Sequence, residues 1–252
     1  MTELWIDPTW HRLVLATVSG LAVCQLNLYL TSAVLHRGMC HGTIAYPRWF
    51  KRVTAVWLWL TVCVPSLTWI AAHLHHHRYS DTDADPHAPG HKGFWRVMLL
   101  TWYYVPRYSR RNRRYVGDRY LKAYKDDRLL HLLDEPRYAQ GYFYLQIAGS
   151  LLGGPVALAF YIARMLPYML LSGYVNSAGH SWGTRTYGNR GTDAHGLVQK
   201  ALGYITAGET LGHNYHHRYP GRSAFRAARF DPGFWFAVRL LRGHPSDSQV
   251  RA

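Results

Sequence analysis

The sequence predicts an all-α integral membrane protein. About three transmembrane helices plus interfacial helices would lie under a cytoplasmic helical cap that holds a histidine-rich dimetal site. Three observations carry that expectation. The 252 residues include several uncharged apolar runs of about twenty residues, enough for a helix to cross roughly 30 Å of hydrocarbon. Eight of the 16 histidines fall in clusters spaced HxxxxH, HxxHH and HxxHH, with a ninth, His180, between them. Twenty-nine Lys and Arg against 14 Asp and Glu leave a formal charge of +15. That surplus suits an anionic membrane leaflet or an acidic, phosphate-bearing partner. Nucleic acid is set aside, because the apolar residues sit in long runs and no nucleic-acid module surrounds the tyrosines and arginines of 107–128. The whole chain, 1–252, is expected to form one domain.

The amino-terminal MTELWIDPTWHR has no basic region leading into a short apolar stretch, so no cleaved signal peptide is expected and the first apolar segment should stay. Leu13 to Leu35 is that segment, about twenty-three residues without a charge, and it reads as the first span. HRGMCH follows, with His36 and His41, and then Arg37, Arg48, Lys51 and Arg52 mark this side as cytoplasmic.

Val53 to Ala72 is as apolar as a second span, yet a crossing there would put a membrane between His36 and His73. Pro65, which lacks a backbone donor, fits a re-entrant or interfacial segment, and Trp57, Trp59 and Trp69 suit interfacial depth. The segment opens into HLHHHRYSDTDADPH, His73 to His87, with five imidazoles and three carboxylates. On a helix His73 shares a face with His76 and His77.

From Trp95 to Arg137 the chain is amphipathic and basic, and reads as a solvated face near anionic lipid. Tyr142 to Ala163 and Met165 to Ser181 form a further apolar pair, separated by Arg164 and Pro167, that brings His180 back to the starting side. Gly149, Gly153 and Gly154 would let these helices approach closely. Three spans put the amino terminus outside, the carboxyl terminus inside, and every Lys and Arg but Arg12 and Arg164 inside. Cys24, Cys40 and Cys63, odd in number and apolar in setting, outline no disulfide framework.

Buried neutral imidazoles need partners for their ring nitrogens, and a divalent transition metal suits them. Nine are too many for one four-coordinate zinc and about right for two metals of higher coordination. The Glu-x-x-His pairs of soluble di-iron bundles are absent.

In order, HRGMCH, HLHHHRYSDTDADPH, NSAGHSWGTRTY and HNYHHRYP resemble the membrane fatty acid desaturases, specifically the acyl-CoA (Δ9-type) branch, over roughly His36 to Pro220. The resemblance implies a two-iron centre ligated by His36, His41, His73, His76, His77, His180, His213, His216 and His217, with Asn176 reaching one iron through water. His75 lies in the variable interior of its box and is not carried over; His87 takes an outer role. Asp81, Asp83, Asp85 and Glu209 are placed to orient ligating imidazoles by accepting their second N–H, with a solvated or helix-capping role as the alternative for each.

The implied activity is oxygen-dependent introduction of a cis double bond into an acyl chain on coenzyme A, acyl carrier protein or lipid. A separate donor such as ferredoxin or a cytochrome would supply electrons, and the bacterial location would be the plasma membrane. The chain would lie in an apolar tunnel walled by aromatics of Val53 to Trp69. Three departures from the family pattern are expected: no counterpart of the first transmembrane hairpin of longer members, GETLG around Glu209 where a shorter run is usual, and Thr186 in place of a common proline. Hydroxylases and acetylenases share such boxes. A metal transporter or storage protein is disfavoured by spans almost without polar ligands at mid-membrane depth.

Overall fold

The structure, a computed structural model, describes residues 8–112, 122–225 and 230–246. The middle of the basic stretch expected as a solvated face, 113–121, lies outside the described residues.

The first span is longer than its uncharged core. Helix α1 (Pro8–Leu30) continues without a break into a π-helical run, Thr31–Cys40. Thr9–Cys40 forms one apolar helix of 32 residues. The wider π turn keeps HRGMC helical and delivers His36 and Arg37 to the buried end of the helix. The run closes with the His41 amide donating to His36 O at 3.0 Å. A short strand, β1 (Ile44–Ala45), then pairs antiparallel with β2 (His244–Pro245), tying the tail of the described chain to the end of the first span.

Helices α2 (Arg48–Val62) and α3 (Ser66–Tyr79) form a pair bent by 93°, the shape of either a broken span or the expected re-entrant segment. Cys63 takes a left-handed conformation (φ 54°), and Pro65 denies α3 a continuous backbone ladder with α2. Each arm is about 22 Å long, short of a bilayer core. The pair begins seven residues after His41 and ends at His73 to His77, so it enters and leaves on the side of the histidines. The free amide of Thr68, in the first turn of α3, is held by Asp134 Oδ1 at 2.7 Å, and the Thr68 hydroxyl donates to Asp134 Oδ2 at 3.1 Å.

Helices α4 (Pro89–Lys92), α5 (Phe94–Asn112), α6 (Arg128–Leu133), α7 (Pro136–Leu152) and α8 (Gly154–Ser181) follow. Here the expected boundary moves. The break falls at Gly153 and Gly154, the latter at φ +76°, not at Arg164 and Pro167. Gly149 meets nothing a Cβ would disturb, so the turn, not close helix approach, uses these glycines. Pro167 sits inside the 28-residue α8. Arg164, expected to face outward between two spans, is at mid-helix, where its guanidinium donates to Gln146 Oε1 of α7 and lies over the Phe160 and Tyr161 rings.

Among the described residues, two helices, Thr9–Cys40 and Gly154–Ser181, are long and apolar enough to cross a membrane, or three if the bent pair is one span. α1 and α8 pack along their lengths: a Cβ on Gly20 would come within 2.6 Å of Phe160 O. Leu15 and Val18 on the other face stay exposed, as lipid-facing side chains do. The cap is completed by α9 (Leu197–Ile205), α10 (His213–Arg218) and α11 (Pro232–Trp235), which runs on into a π turn, Phe236–Leu240.

Candidate metal centre

All nine expected histidines converge, and they divide into two pockets. His36, His41, His73, His77 and His216 each bring one ring nitrogen within 4.8 Å of the others; His76, His180, His213 and His217 do the same beside them. Within the first pocket the Nε2 atoms of His36 and His216 are 3.0 Å apart, those of His41 and His73 3.0 Å, and those of His77 and His216 2.9 Å. In the second, His180 and His213 Nε2 are 2.8 Å apart and His213 and His217 3.2 Å. The split follows from helix geometry: consecutive residues point about 100° apart. His76 and His77 on α3 therefore part into different pockets, as do His216 and His217 on α10. The pockets adjoin through the stacked rings of His77 and His217, 4.4 Å between centroids.

Carboxylates behind the rings set the tautomers. His36 Nδ1 lies 2.9 Å from Glu209 Oε2, His76 Nδ1 2.9 Å from Asp85 Oδ1, and His180 Nδ1 2.9 Å from Asp81 Oδ1. His213 Nδ1 lies 3.1 Å from Glu209 O. A carboxylate or carbonyl only accepts, so each Nδ1 carries the proton and each Nε2 lone pair points inward. Three of the four expected carboxylates thus orient a ring. Asp83 does not; it is exposed, and its carbonyl accepts from Lys92. Burial, reinforced by the neighbouring imidazoles, holds His41, His213, His216 and His217 well below the usual histidine range, so they are neutral donors. Burial would raise Glu209, but His36 and Arg37 outweigh it and bring the carboxyl down to about 2.

These donors fit metal ions. His76 Nε2 is buried with no hydrogen-bond partner among the described residues. Several inward lone pairs at 2.8–3.2 Å from one another need a shared cation, not one another. Asn176 stands one turn before His180 on α8, half-buried, and lines a cavity with His73 and His87. His75 belongs to neither pocket, its Nε2 lying 3.2 Å from Ala84 O.

Residues outside the boxes hold the site. Arg37, expected among the charges marking the cytoplasmic side, is 1% exposed. It donates to both Asp231 oxygens at 3.1 and 3.0 Å and to Glu209 Oε1 at 3.2 Å, and bonds Ser32 Oγ. Its guanidinium lies 3.9 Å from the Phe225 ring centroid, and Phe225 in turn packs on His36 and His216. Asp193 Oδ1 accepts from the Asn214 and Tyr215 amides at 2.8 and 3.3 Å, capping α10 from a distant loop. Asn214, fully buried inside HNYHH, accepts from the Tyr187 amide and donates to Gly188 O and Arg190 O. Gly191, at φ +63°, lets the same loop run against His213 and His217, where a Cβ would come within 3.0 and 3.1 Å. Only the polar interior of HNYHH was a signal for Asn214; nothing local marked Arg37 or Asp231.

A cavity is lined by His73, His87 and Asn176 together with Thr68, Trp69, Ala72, Thr101, Trp102, Tyr168, Met169, Ser172 and the Val62 to Pro65 bend. Aromatic walling thus comes from Trp69 and α5 more than from the first half of Val53 to Trp69. The cavity's lining is mostly apolar, with Thr68, Thr101, Ser172 and Asn176 among its polar groups, and His73 and His87 bring imidazoles to its wall.

Residues 8–234 match the family model described as Fatty acid desaturase. The chain is 28% identical over 271 residues to Delta-9 acyl-lipid desaturase 1 of Arabidopsis thaliana, covering 96% of this chain and 79% of that protein. It is 30% identical over 222 residues to sn-2 palmitoyl-lipid 9-desaturase of Nostoc sp. (strain 36), covering 82% and 71%. To Acyl-CoA C20 Delta5-desaturase of Anemone leveillei it is 27% identical over 227 residues, covering 87% and 68%. With spans, histidine pockets and sequence in agreement, the chain belongs to the fatty acid desaturase family, the membrane-bound oxidoreductases of lipid metabolism.

Proposed function

We propose that the protein is a di-iron desaturase that uses dioxygen to introduce a cis double bond into a fatty acyl chain. The observation that carries this reading is a pair of adjoining all-imidazole pockets beside a largely apolar cavity whose lining includes His73 of the five-histidine pocket. In balance, a –CH2–CH2– unit, O2, two electrons and two protons give –CH=CH– and two waters.

His36, His41, His73, His77 and His216 would hold one iron and His76, His180, His213 and His217 the other, which with dioxygen would supply the oxidising power that amino-acid side chains lack. Asp81, Asp85 and Glu209 keep the Nδ1 protons in place so that the donors do not have to reorganise when metal binds. Trp69, stacked on His73 with centroids 4.9 Å apart, walls the cavity where it meets the imidazoles and fixes the depth at which a methylene lies. Tyr168, Met169 and Ser172 of α8 face the α3 wall across the cavity, holding an extended chain and excluding water. Asn176, one turn before His180 on α8, would offer its amide to a water bound by one of the irons.

The basic cap supports a cytoplasmic site that receives a phosphate-bearing carrier, coenzyme A or acyl carrier protein, or a lipid-linked chain, and an acidic donor such as ferredoxin, or a cytochrome. The relatives' names support both the lipid-linked and the coenzyme A forms. The test is metal analysis with Mössbauer spectroscopy on protein purified after growth on labelled iron, together with the lipid profile of a host expressing it. Two irons per chain and a new mono-unsaturated acyl species are expected. Exchangeable zinc with no new unsaturated product would overturn the reading.

A further inference from the structure

One imidazole on the cavity wall belongs to neither pocket. His87 is 5% exposed, lines the cavity with His73 and Asn176, and has both ring nitrogens buried without a hydrogen-bond partner among the described residues. A buried imidazole left unpartnered costs free energy unless something absent from the fold completes it.

The turn that carries it is built to aim it. Asp85 accepts the His87 amide at 2.8 Å and the Asp81 amide at 3.0 Å while holding His76 Nδ1, which brings the His87 ring to 5.2 Å from the His76 ring, centroid to centroid. His76, Asp85 and His87 could themselves hold a metal by proximity. Against that, Asp85 is already occupied by these donors, and His76 turns its remaining nitrogen into the pocket of His180, His213 and His217. What is left for His87 is the space that it shares with Asn176.

The four-histidine pocket has one imidazole fewer than its neighbour and so more room for a ligand from solution. We infer that His87 is a further residue of the reaction centre, donating a ring N–H to the exogenous oxygen ligand of the four-histidine metal from the cavity side, alongside Asn176. This rests on the two-iron reading above.

The probe is azide, which takes an exogenous position on ferric iron and is followed by its charge-transfer absorption. A hydrogen bond to a charged acceptor is worth enough that His87→Phe should weaken azide binding by about tenfold or more. His87→Gln, whose amide keeps a donor, should stay within about threefold of the parent. Both should retain two irons per chain, and His87→Leu is measured in parallel so that the result does not depend on one variant's folding. Unchanged azide affinity in the Phe and Leu variants overturns the inference. So does loss of one iron, which would make His87 a ligand. If the parent desaturates and holds two irons, such a result removes only the role of His87; if the parent does neither, the two-iron reading fails first.

Discussion

At the scale of single residues, the two HxxHH boxes distinguish donors from bystanders by direction alone. His75 and His76 are neighbours and both buried, yet His76 Nε2 is directed at a pocket while His75 reaches the Ala84 carbonyl. His76→Ala should therefore lose metal from the four-histidine pocket and abolish unsaturated product while the protein still inserts into membranes. His75→Ala should keep two metals and most of its activity, as read by metal analysis and lipid profile. Equal loss in both variants would mean that the register of the box is misread. Spacing made these donors legible in the sequence, because i, i+3 and i+4 fall on one side of a helix whatever else the chain does. Arg37 was not legible. A lone arginine after a span reads as a topology marker, and the carboxylate that buries it, Asp231, is 194 residues away.

At the scale of elements, α3 is short and buries its apolar face only through its neighbours, so its start matters. Asp134 holds that start by accepting two hydrogen bonds, from the Thr68 amide and hydroxyl, on a carboxylate that is 3% exposed. Asp134→Ala should cost about 1–2 kcal/mol through the lost cap. It should lower the melting temperature in detergent by several degrees and loosen metal held by His73, His76 and His77. A melting curve that overlays the parent would show that Asp134 does not support α3. The same scale explains the misplaced boundary in the second apolar pair. Arg and Pro are strong break signals in water, but Gln146 on the adjacent helix satisfies Arg164, and packed neighbours let Pro167 stay inside α8. Gly153 and Gly154 gave the true turn, a signal easily read as close packing.

At the scale of the molecule, the site joins segments that have no other reason to be rigid together: the end of the first span, α3, the end of α8, and α10. Metal should thus act as their common fastener. Chelation of the purified protein should raise amide exchange at 31–41, 73–79 and 213–218 together. The first half of α8, packed on α1, should remain as protected as before. A rise confined to α10 would indicate that the other donors are held by the fold alone. The membrane class, the bent pair and the meeting of the boxes were legible because each is dictated by crossing parity and helix phase. The cavity was legible only as an expectation, since its α5 and α8 walls come from parts of the chain that carry no motif.

The parting of adjacent histidines into different pockets bears on how such a protein can change. Turning α3 about its axis by a fraction of a turn would withdraw His76 from one pocket and His77 from the other in the same movement. No insertion or deletion within that box can alter one pocket and spare its neighbour. Register changes therefore act on both pockets together, and variation in substrate is left to the cavity wall, where a side chain can change without rotating the helix that bears the donors.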